Sequence, residues 1–342
     1  MVVCFGQVVL GAAGAGKTTY CKGMQHLLEL QKRECLVVNL DPANDTYDYE
    51  CALDVRDLVD AKQVEEDLRI GPNGALVFCM EYLEKNVDWL QEQLQKLKQK
   101  HTPSNQTTKD KDTYVLFDCP GQVELFALHT SFRRILDVLA KTLDFRFVCV
   151  HCVDVQLCTD PNNYMAAILL SLNVMLNLEL PHVNVLTKCD MISRFAQLEM
   201  PFEYYLDAQN LEQLLLGENQ GEGKGVMMGQ VRNFGKLTLG LCELIEDFAL
   251  VNFQPVAVED GHSMQHLLKT LDRCLGYVSH GTGSGRVQGS SMSNDERQNF
   301  IQSLETIDTP DWHEHFQRFN ANRKRHIEEE SIKKNSNNST TR

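Results

Sequence analysis

The sequence predicts a doubly wound, mostly parallel α/β sheet of about six strands flanked by helices. Two observations carry that prediction. Short, nearly continuous apolar runs recur along the chain, each followed by a longer segment of helical period. The first run also leads straight into a Gly-rich turn that opens the first helix. The runs are Gln7–Leu10, Leu36–Leu40, Tyr114–Phe117, Phe147–Val153, Val183–Leu186 and Pro255–Val258. Strands covered by helices on both faces read as unbroken Val, Leu, Cys and Phe, whereas half-exposed strands alternate. Between the runs, Leu83, Val87, Leu90, Leu94 and Leu97 fall at helical spacing, as do Leu239, Cys242, Leu244, Ile245 and Phe248.

Three segments leave that rhythm. Residues 98–111 (KQKHTPSNQTTKDK) are polar, contain Pro and read as an exposed loop. Residues 217–235 are rich in Gly and Gln and read as an insertion or mobile loop. From about residue 280 the chain turns to Gly, Ser and mixed charge, the composition of a disordered tail. This divides the chain into an α/β domain over 1–279 and a tail over 280–342. Within the tail, Ile301–Phe319 reads equally as a short docking helix presenting Trp312, Phe316 and Phe319 or as unstructured chain with scattered aromatics.

The 342 residues carry 33 Lys and Arg against 47 Asp and Glu, a net charge of −14. Residues 281–342 hold nine of each sign, so the whole excess falls on the first 280. An acidic domain is a poor match to a nucleic-acid backbone, which needs clustered cations. It still accommodates a small polyanion held by backbone N–H groups at a helix start. No apolar run approaches the roughly 18–20 residues that span a bilayer, and the apolar N-terminus lacks the basic segment of a signal peptide. The twelve Cys are scattered through apolar segments and fit a reducing compartment, the cytoplasm. Cys149 and Cys152 have zinc-like spacing, but three residues apart on a strand they point to opposite faces and share no metal.

Gly11-Ala-Ala-Gly14-Ala15-Gly16-Lys17-Thr18 matches G-x-x-x-x-G-K-[ST] between a strand and a helix, the context the motif requires. The fold class sharpens accordingly to a P-loop nucleoside triphosphatase. The loop N–H groups, with those of Gly14, Ala15, Gly16 and the following Thr19, suit β-phosphate oxygens. Lys17 suits the β,γ bridge, and the Thr18 hydroxyl suits Mg²⁺. Asp118 closes the third apolar run and suits a magnesium-bound water. Gly121 follows it with an N–H for the γ-phosphate, and Gln122 stands where a water-positioning amide belongs. Glu124 adds a carboxylate, which reads otherwise as a solvated helix-start acid. Asp41 closes the second run at the same edge; it is a second candidate for the metal or a polarised water, or else an Asp-Pro turn starter. Thr187-Lys188-Cys189-Asp190 follows the fifth run. A carboxylate there can accept from N1–H and N2–H₂ of guanine while Lys188 lays its stem along the base, so GTP or GDP is the favoured ligand over ATP. Closure over the base near 252–256 carries no residue assignments.

These residues resemble the GPN-loop GTPases. Gly71-Pro72-Asn73 stands between the second and third runs. It accompanies the phosphate loop at 11–18, Asn-Leu-Asp-Pro-Ala at 39–43, Asp-x-Pro-Gly-Gln-x-Glu at 118–124 and Thr-Lys-x-Asp at 187–190. Tyr49-Glu50-Cys51, 79–84 and 158–161 look most like the second eukaryotic branch, and the likeness covers roughly Phe5 to Tyr277. What the resemblance implies is a domain that dimerises with its nucleotide sites facing the interface. Asn73 of the GPN loop then enters the partner's site, to hold the γ-phosphate or the attacking water. Taken alone, Gly71-Pro72-Asn73 is a rigid turn or a helix stop after Ile70. Related dimerising ATPases place an extra Lys at the second loop position, which here is Ala12.

The implied mechanism is GTP hydrolysis in a dimeric switch. Mg²⁺ is held by Thr18 and, through water, by Asp118; Lys17 neutralises charge; Asp41, Gln122 and Glu124 orient the water; Asn73 acts in trans. The resemblance also implies homodimers or heterodimers with GPN-loop paralogues, and a role in RNA polymerase II assembly or import. The scattered cysteines place the protein in the cytoplasm, with shuttling to the nucleus, and the acidic balance and lack of a spanning run argue against a direct nucleic-acid or membrane partner. A P-loop phosphotransferase and a nucleotide-sensing scaffold with incidental turnover are the alternatives.

Overall fold

The computed structural model describes residues 4–100, 113–194, 198, 200–216, 228–248 and 251–277. Seven parallel strands form one sheet: β1 (Cys4–Gly11), β2 (Cys35–Asn39), β3 (Cys51–Asp54), β4 (Thr113–Asp118), β5 (Phe145–Asp154), β6 (His182–Thr187) and β7 (Phe253–Pro255). Their order is β3-β2-β4-β1-β5-β6-β7. The central strand β1 pairs on one side with β4, Val9 opposite Asp118, and on the other with β5, Gly11 opposite Cys152. Every residue of β1 and β4 is buried, which is why both read as unbroken apolar runs.

Two strand assignments need correction. β3 gives no apolar run: it is a four-residue edge strand, Cys-Ala-Leu-Asp, mostly half-buried and joined to β2 through a register shift at Val37/Val38. The last strand occupies Phe253–Pro255 rather than Pro255–Val258. Pro255 brings no N–H to a ladder and closes the strand. Val256 follows it out of the strand, its N–H donating to the Leu186 carbonyl at 2.8 Å.

The helices are α1 (Lys17–Leu30), α2 (Ala61–Leu68), α3 (Pro72–Lys85), α4 (Val87–Lys100), α5 (Glu124–Ala127), α6 (Ser131–Leu143), α7 (Pro161–Leu178), α8 (Phe202–Leu206), α9 (Leu211–Leu216), α10 (Met228–Phe248) and α11 (Gly261–Leu275). Side chains that alternate across the strands go to two separate layers. Val8, Leu10, Val38, Phe117 and Cys149 pack with α3, α4 and α6, whereas Val9, Val37, Leu116, Val150 and Cys152 pack with α1 and α11. Met24 and Leu28 of α1 are fully buried in the second layer, each contributing about 1.5–3 kcal/mol. Cys149 and Cys152 thus lie on opposite faces, as their strand spacing predicts. A third cluster packs the ends of β5 and β6 against α7, α9 and α10.

Two loop expectations are also corrected. α4 runs to Lys100, so 98–100 are helical, and α10 begins at Met228, so 228–235 are helical. Glycines at 229, 235 and 240 each weaken a helix by about 1 kcal/mol, yet Cys242 and Ile245 on the same helix are buried in the third cluster and hold it. The remaining parts of both segments, and the tail from 280 with Ile301–Phe319, lie outside the described residues. No described helix is long and apolar enough to cross a membrane.

Two polar features of the interior matter later. Arg33, at the α1–β2 turn, forms a two-point ion pair with Asp272 of α11 (2.8 and 2.9 Å) under the Tyr277 ring, 4.0 Å from its centroid. On the β5–β6 pair, His151 Nδ1 and His182 Nε2 both reach Asn184 Oδ1, at 3.3 and 3.0 Å, and Ser171 Oγ lies 3.1 Å from His151 Nδ1. Burial drives both imidazoles towards the neutral form, His151 to about 3 and His182 to about 4.

Candidate active site at the carboxyl edge of the sheet

Helix α1 starts differently from its neighbours. Asp60, Asp160 and Asp260 cap α2, α7 and α11 by accepting from N–H groups of the first turn. At α1 the capping position is Gly16, left-handed at φ 85°, with no side-chain cap and no first-turn acid. A residue with a Cβ is strained there, and the N–H groups of the first turn remain free for an external anion. Lys17 is 8% exposed and curls back, its Nζ donating to the Ala12 carbonyl at 3.1 Å. Gly14 and Thr19 are exposed, and Ala15 is buried.

The ends of β2 and β4 bring the acids alongside. Asn39 and Asp118 are register partners. The Thr18 hydroxyl donates to Asp118 Oδ2 at 2.9 Å, and the Tyr49 hydroxyl donates to the same oxygen at 3.0 Å. Asp118 Oδ1 is buried with no hydrogen-bond partner. Burial pushes the Asp118 carboxyl above its ordinary range, against the bonds from Thr18 and Tyr49 and the charge of Lys17. The same holds for Asp41, where burial outweighs the Ala43 N–H that its Oδ1 accepts at 3.0 Å. Asn39 fixes the Asp41 backbone from both sides, its Nδ2 donating to the Asp41 carbonyl (3.2 Å) and its Oδ1 accepting the Asp41 N–H (3.1 Å). Two neighbouring carboxyls, one of them beside a hydroxyl and with a buried oxygen left without a partner, fit the all-oxygen set of a hard divalent cation such as Mg²⁺.

Beyond Asp118 the chain passes close to the phosphate loop. A Cβ on Gly121 would lie 3.0 Å from Ala13 Cα and 3.2 Å from its nitrogen, so the two loops touch backbone to backbone. Gln122 Nε2 donates to Asn73 Oδ1 at 2.5 Å within this one chain. Gly71 and Pro72 explain how Asn73 gets there: Gly71 caps α3 and Pro72 is its first residue, where a missing N–H costs nothing. The turn therefore starts a helix rather than merely stopping the previous one, and Gly71–Gly74 are exposed. Glu124, the first residue of α5, is exposed and does not join the cluster of acids.

At the end of β6 the Thr187 hydroxyl donates to the Ala15 carbonyl (2.8 Å) and to the Val153 carbonyl (3.1 Å). It ties the Thr187–Asp190 segment to the phosphate loop. Lys188, left-handed at φ 59°, pairs through Nζ with Asp154 Oδ2 at 2.6 Å, and its Cε lies 3.9 Å from where a Gly16 Cβ would stand. Asp190 is exposed one turn further on, with Val256 at hand: the Cys189 N–H donates to its carbonyl at 3.3 Å.

The structure thus brings Lys17, Thr18, Asp41, Asp118, Gly121, Gln122 and Asn73 to one edge, with Thr187, Lys188 and Asp190 adjoining. Sequence reasoning missed Tyr49, Asn39 and Asp154. Asp154 ends β5 at the ligand-bearing edge, one residue past the apolar run, and that position was its signal. Asn39 and Tyr49 stood in stretches that carried the resemblance, but without a role assigned to them.

A parallel sheet with a phosphate loop on its central strand, acids on two neighbouring strand ends and a Thr-Lys-x-Asp segment beside them defines a P-loop GTPase. Comparison with known proteins narrows the class. Residues 9–277 match a family model described as "Conserved hypothetical ATP binding protein". GPN-loop GTPase QQT1 of Arabidopsis thaliana is 43% identical over 84% of this chain and 91% of its own length. GPN-loop GTPase 2 of Schizosaccharomyces pombe is 41% identical over 82% and 83%, and that of Danio rerio 43% identical over 80% and 81%. The chain belongs to the GPN-loop GTPase family. Its fold matches that of an apo-form GTPase from Pyrococcus abyssi, with a TM-score of 0.60 and 21% identity over 79% of this chain and 96% of that one.

Proposed function

We propose that the protein binds GTP with Mg²⁺, hydrolyses it to GDP and phosphate, and acts as a dimeric switch. The observation that carries GTP is the Thr187 hydroxyl on the Ala15 carbonyl, which locks the guanine-reading segment to the phosphate loop. Thr18 and Asp118 would hold the magnesium, Asp118 through water, with Asp41 a second acid beside it. The ion supplies charge neutralisation for the β,γ oxygens when bound. Lys17 exchanges the Ala12 carbonyl for phosphate oxygen. Gly121, already against the phosphate loop, offers its N–H to the γ-phosphate. Gln122 and Asp41 orient the attacking water, with Glu124 as a further candidate acid, and Asp190 reads the guanine edge.

In the single chain the Asn73 amide is engaged by Gln122. Action of Asn73 across a dimer requires that bond to open, which frees both amides for the water and the γ-phosphate. Mixing Asn73→Ala subunits with Lys17→Ala subunits tests this. Recovery of GTP turnover in mixed dimers supports action in trans; none in confirmed mixed dimers sinks it. Phosphate release from GTP and ATP with no acceptor present tests hydrolysis against phosphotransfer. The description of the family model keeps ATP as the second reading of the base, and competition of the two nucleotides for the site decides.

The partner reading rests on the family alone. It comprises dimers with itself or a paralogue, and service to RNA polymerase II assembly or import from the cytoplasm, with shuttling to the nucleus. Recovery of polymerase subunits on Gln122→Leu protein from cells, against Lys17→Ala protein as the empty control, tests it.

A further inference from the structure

We propose that Tyr49 is the positioning residue of the magnesium site and couples the site's occupancy to the segment that follows Asp41. The inference rests on the reading that Thr18 and Asp118 hold the ion. Its basis is an asymmetry in Asp118. Both hydrogen bonds to that carboxylate, from Thr18 and from Tyr49, fall on Oδ2, and Oδ1 is left buried without a partner. Two donors on one oxygen fix the carboxylate plane and reserve the other oxygen for a bound water of the ion. Thr18 alone leaves the group free to rotate about the remaining bond.

Tyr49 reaches Asp118 across 69 positions of sequence, so its own anchorage matters. Its ring stacks on Tyr47 with centroids 4.9 Å apart and planes 11° apart. The Tyr47 hydroxyl donates to Asp54 Oδ2 at 2.8 Å, and Arg56 clasps the same carboxylate with Nε and Nη2. Asn39 closes the path: its Nδ2 donates to Asp54 Oδ1 at 3.1 Å and to the Asp41 carbonyl at 3.2 Å. A continuous set of contacts therefore runs from Asp118 through the two tyrosines and Asp54 back to Asp41. The loop 44–50 meets Asp118 through the Tyr49 phenol, while Gln25 holds its end by both the Glu50 carbonyl and N–H. Groups that orient a metal's ligands from behind typically matter 10- to 100-fold in metal affinity.

The test is a Mg²⁺ titration of fluorescent GDP-analogue binding to the full chain, wild type against Tyr49→Phe, with an EDTA baseline. The phenylalanine retains the stack on Tyr47 and removes only the hydroxyl. We expect the Mg²⁺ midpoint to rise roughly tenfold or more, while nucleotide affinity in EDTA changes less than twofold. Equal weakening with and without Mg²⁺ would mean a purely structural tyrosine and would overturn the proposal. So would an unmoved midpoint in a Mg²⁺-sensitive background. A wild type indifferent to Mg²⁺ would instead overturn the magnesium reading along with it. Hydrogen exchange of wild-type amides 44–50, GDP with Mg²⁺ against GDP with EDTA, needs no variant. Slower exchange with Mg²⁺ supports the coupling, and identical exchange overturns it.

Discussion

Acidification to pH 5 should destabilise this domain through two particular histidines. His151 is 1% exposed, and both it and His182 turn towards one amide oxygen, Asn184 Oδ1, which can satisfy an N–H but offers no countercharge. Desolvation is the leading cause of both shifts, and for His151 the neighbouring His182 adds repulsion. Folded values of about 3 and about 4 lie below the 6.5 of an unfolded imidazole, so the unfolded chain takes up protons first. Stability from the neutral pair is complete above pH 6.5 and falls as pH drops from there towards the folded values. The slope is about 1.4 kcal/mol per pH unit for each histidine. At pH 5, 1.5 units below the unfolded pKa, that amounts to about 2 kcal/mol each, or about 4 kcal/mol for the pair. Urea unfolding at pH 7.5 and pH 5.0 measures it. Carboxylates also titrate over this range, so the comparison is with His151→Gln/His182→Gln, which should lose about 4 kcal/mol less than wild type between the two pH values. Equal losses in the two proteins would refute the reasoning.

Asp272→Asn leaves the Arg33 guanidinium, pinned beneath Tyr277, without its countercharge. Unfolding free energy should fall by about 3 kcal/mol, read by denaturant titration, with nucleotide affinity unchanged. Gly121→Ala puts a methyl 3.0 Å from Ala13 Cα; because only backbone can yield, GTP turnover should drop by about tenfold or more while the melting temperature stays near wild type. On the proposed reading of the base, Asp190→Ala should cut the preference for GTP over ATP in competition binding, leaving Mg²⁺ dependence intact.

What could be read from the sequence followed from how tightly each feature constrains residue type. Strands β1, β2, β4, β5 and β6 are covered on both faces, so burial dictates unbroken apolar runs. Edge strand β3 is under no such demand, and Cys51–Asp54 carries no pattern. Pro255 sits at the end of β7, where counting apolar residues takes it for a beginning. The phosphate loop and Asp118–Gln122 were legible because close approach of backbone to phosphate demands Gly at set spacings. The tie from Tyr49 to Asp118 was not, because a bond made across 69 positions leaves no local signature, and Asp154 was marked only by its place at a strand end, one residue past the apolar run. Residues 228–235 misled for the opposite reason: glycine content is local, whereas the burial that keeps them helical comes from Cys242 and Ile245 further along.

The uncapped start of α1 carries one more consequence. The three Asp-capped helices hold their first-turn stabilisation whatever the surroundings, but α1 obtains its own from the ligand. Stability of the layer that packs on α1 is thereby linked to the nucleotide. A ligand at 100 times its dissociation constant adds about 2.7 kcal/mol to the folded state, and at 1,000 times about 4.1. The folded fraction then rises with nucleotide concentration, so this helix start makes the ligand part of the domain's own stability.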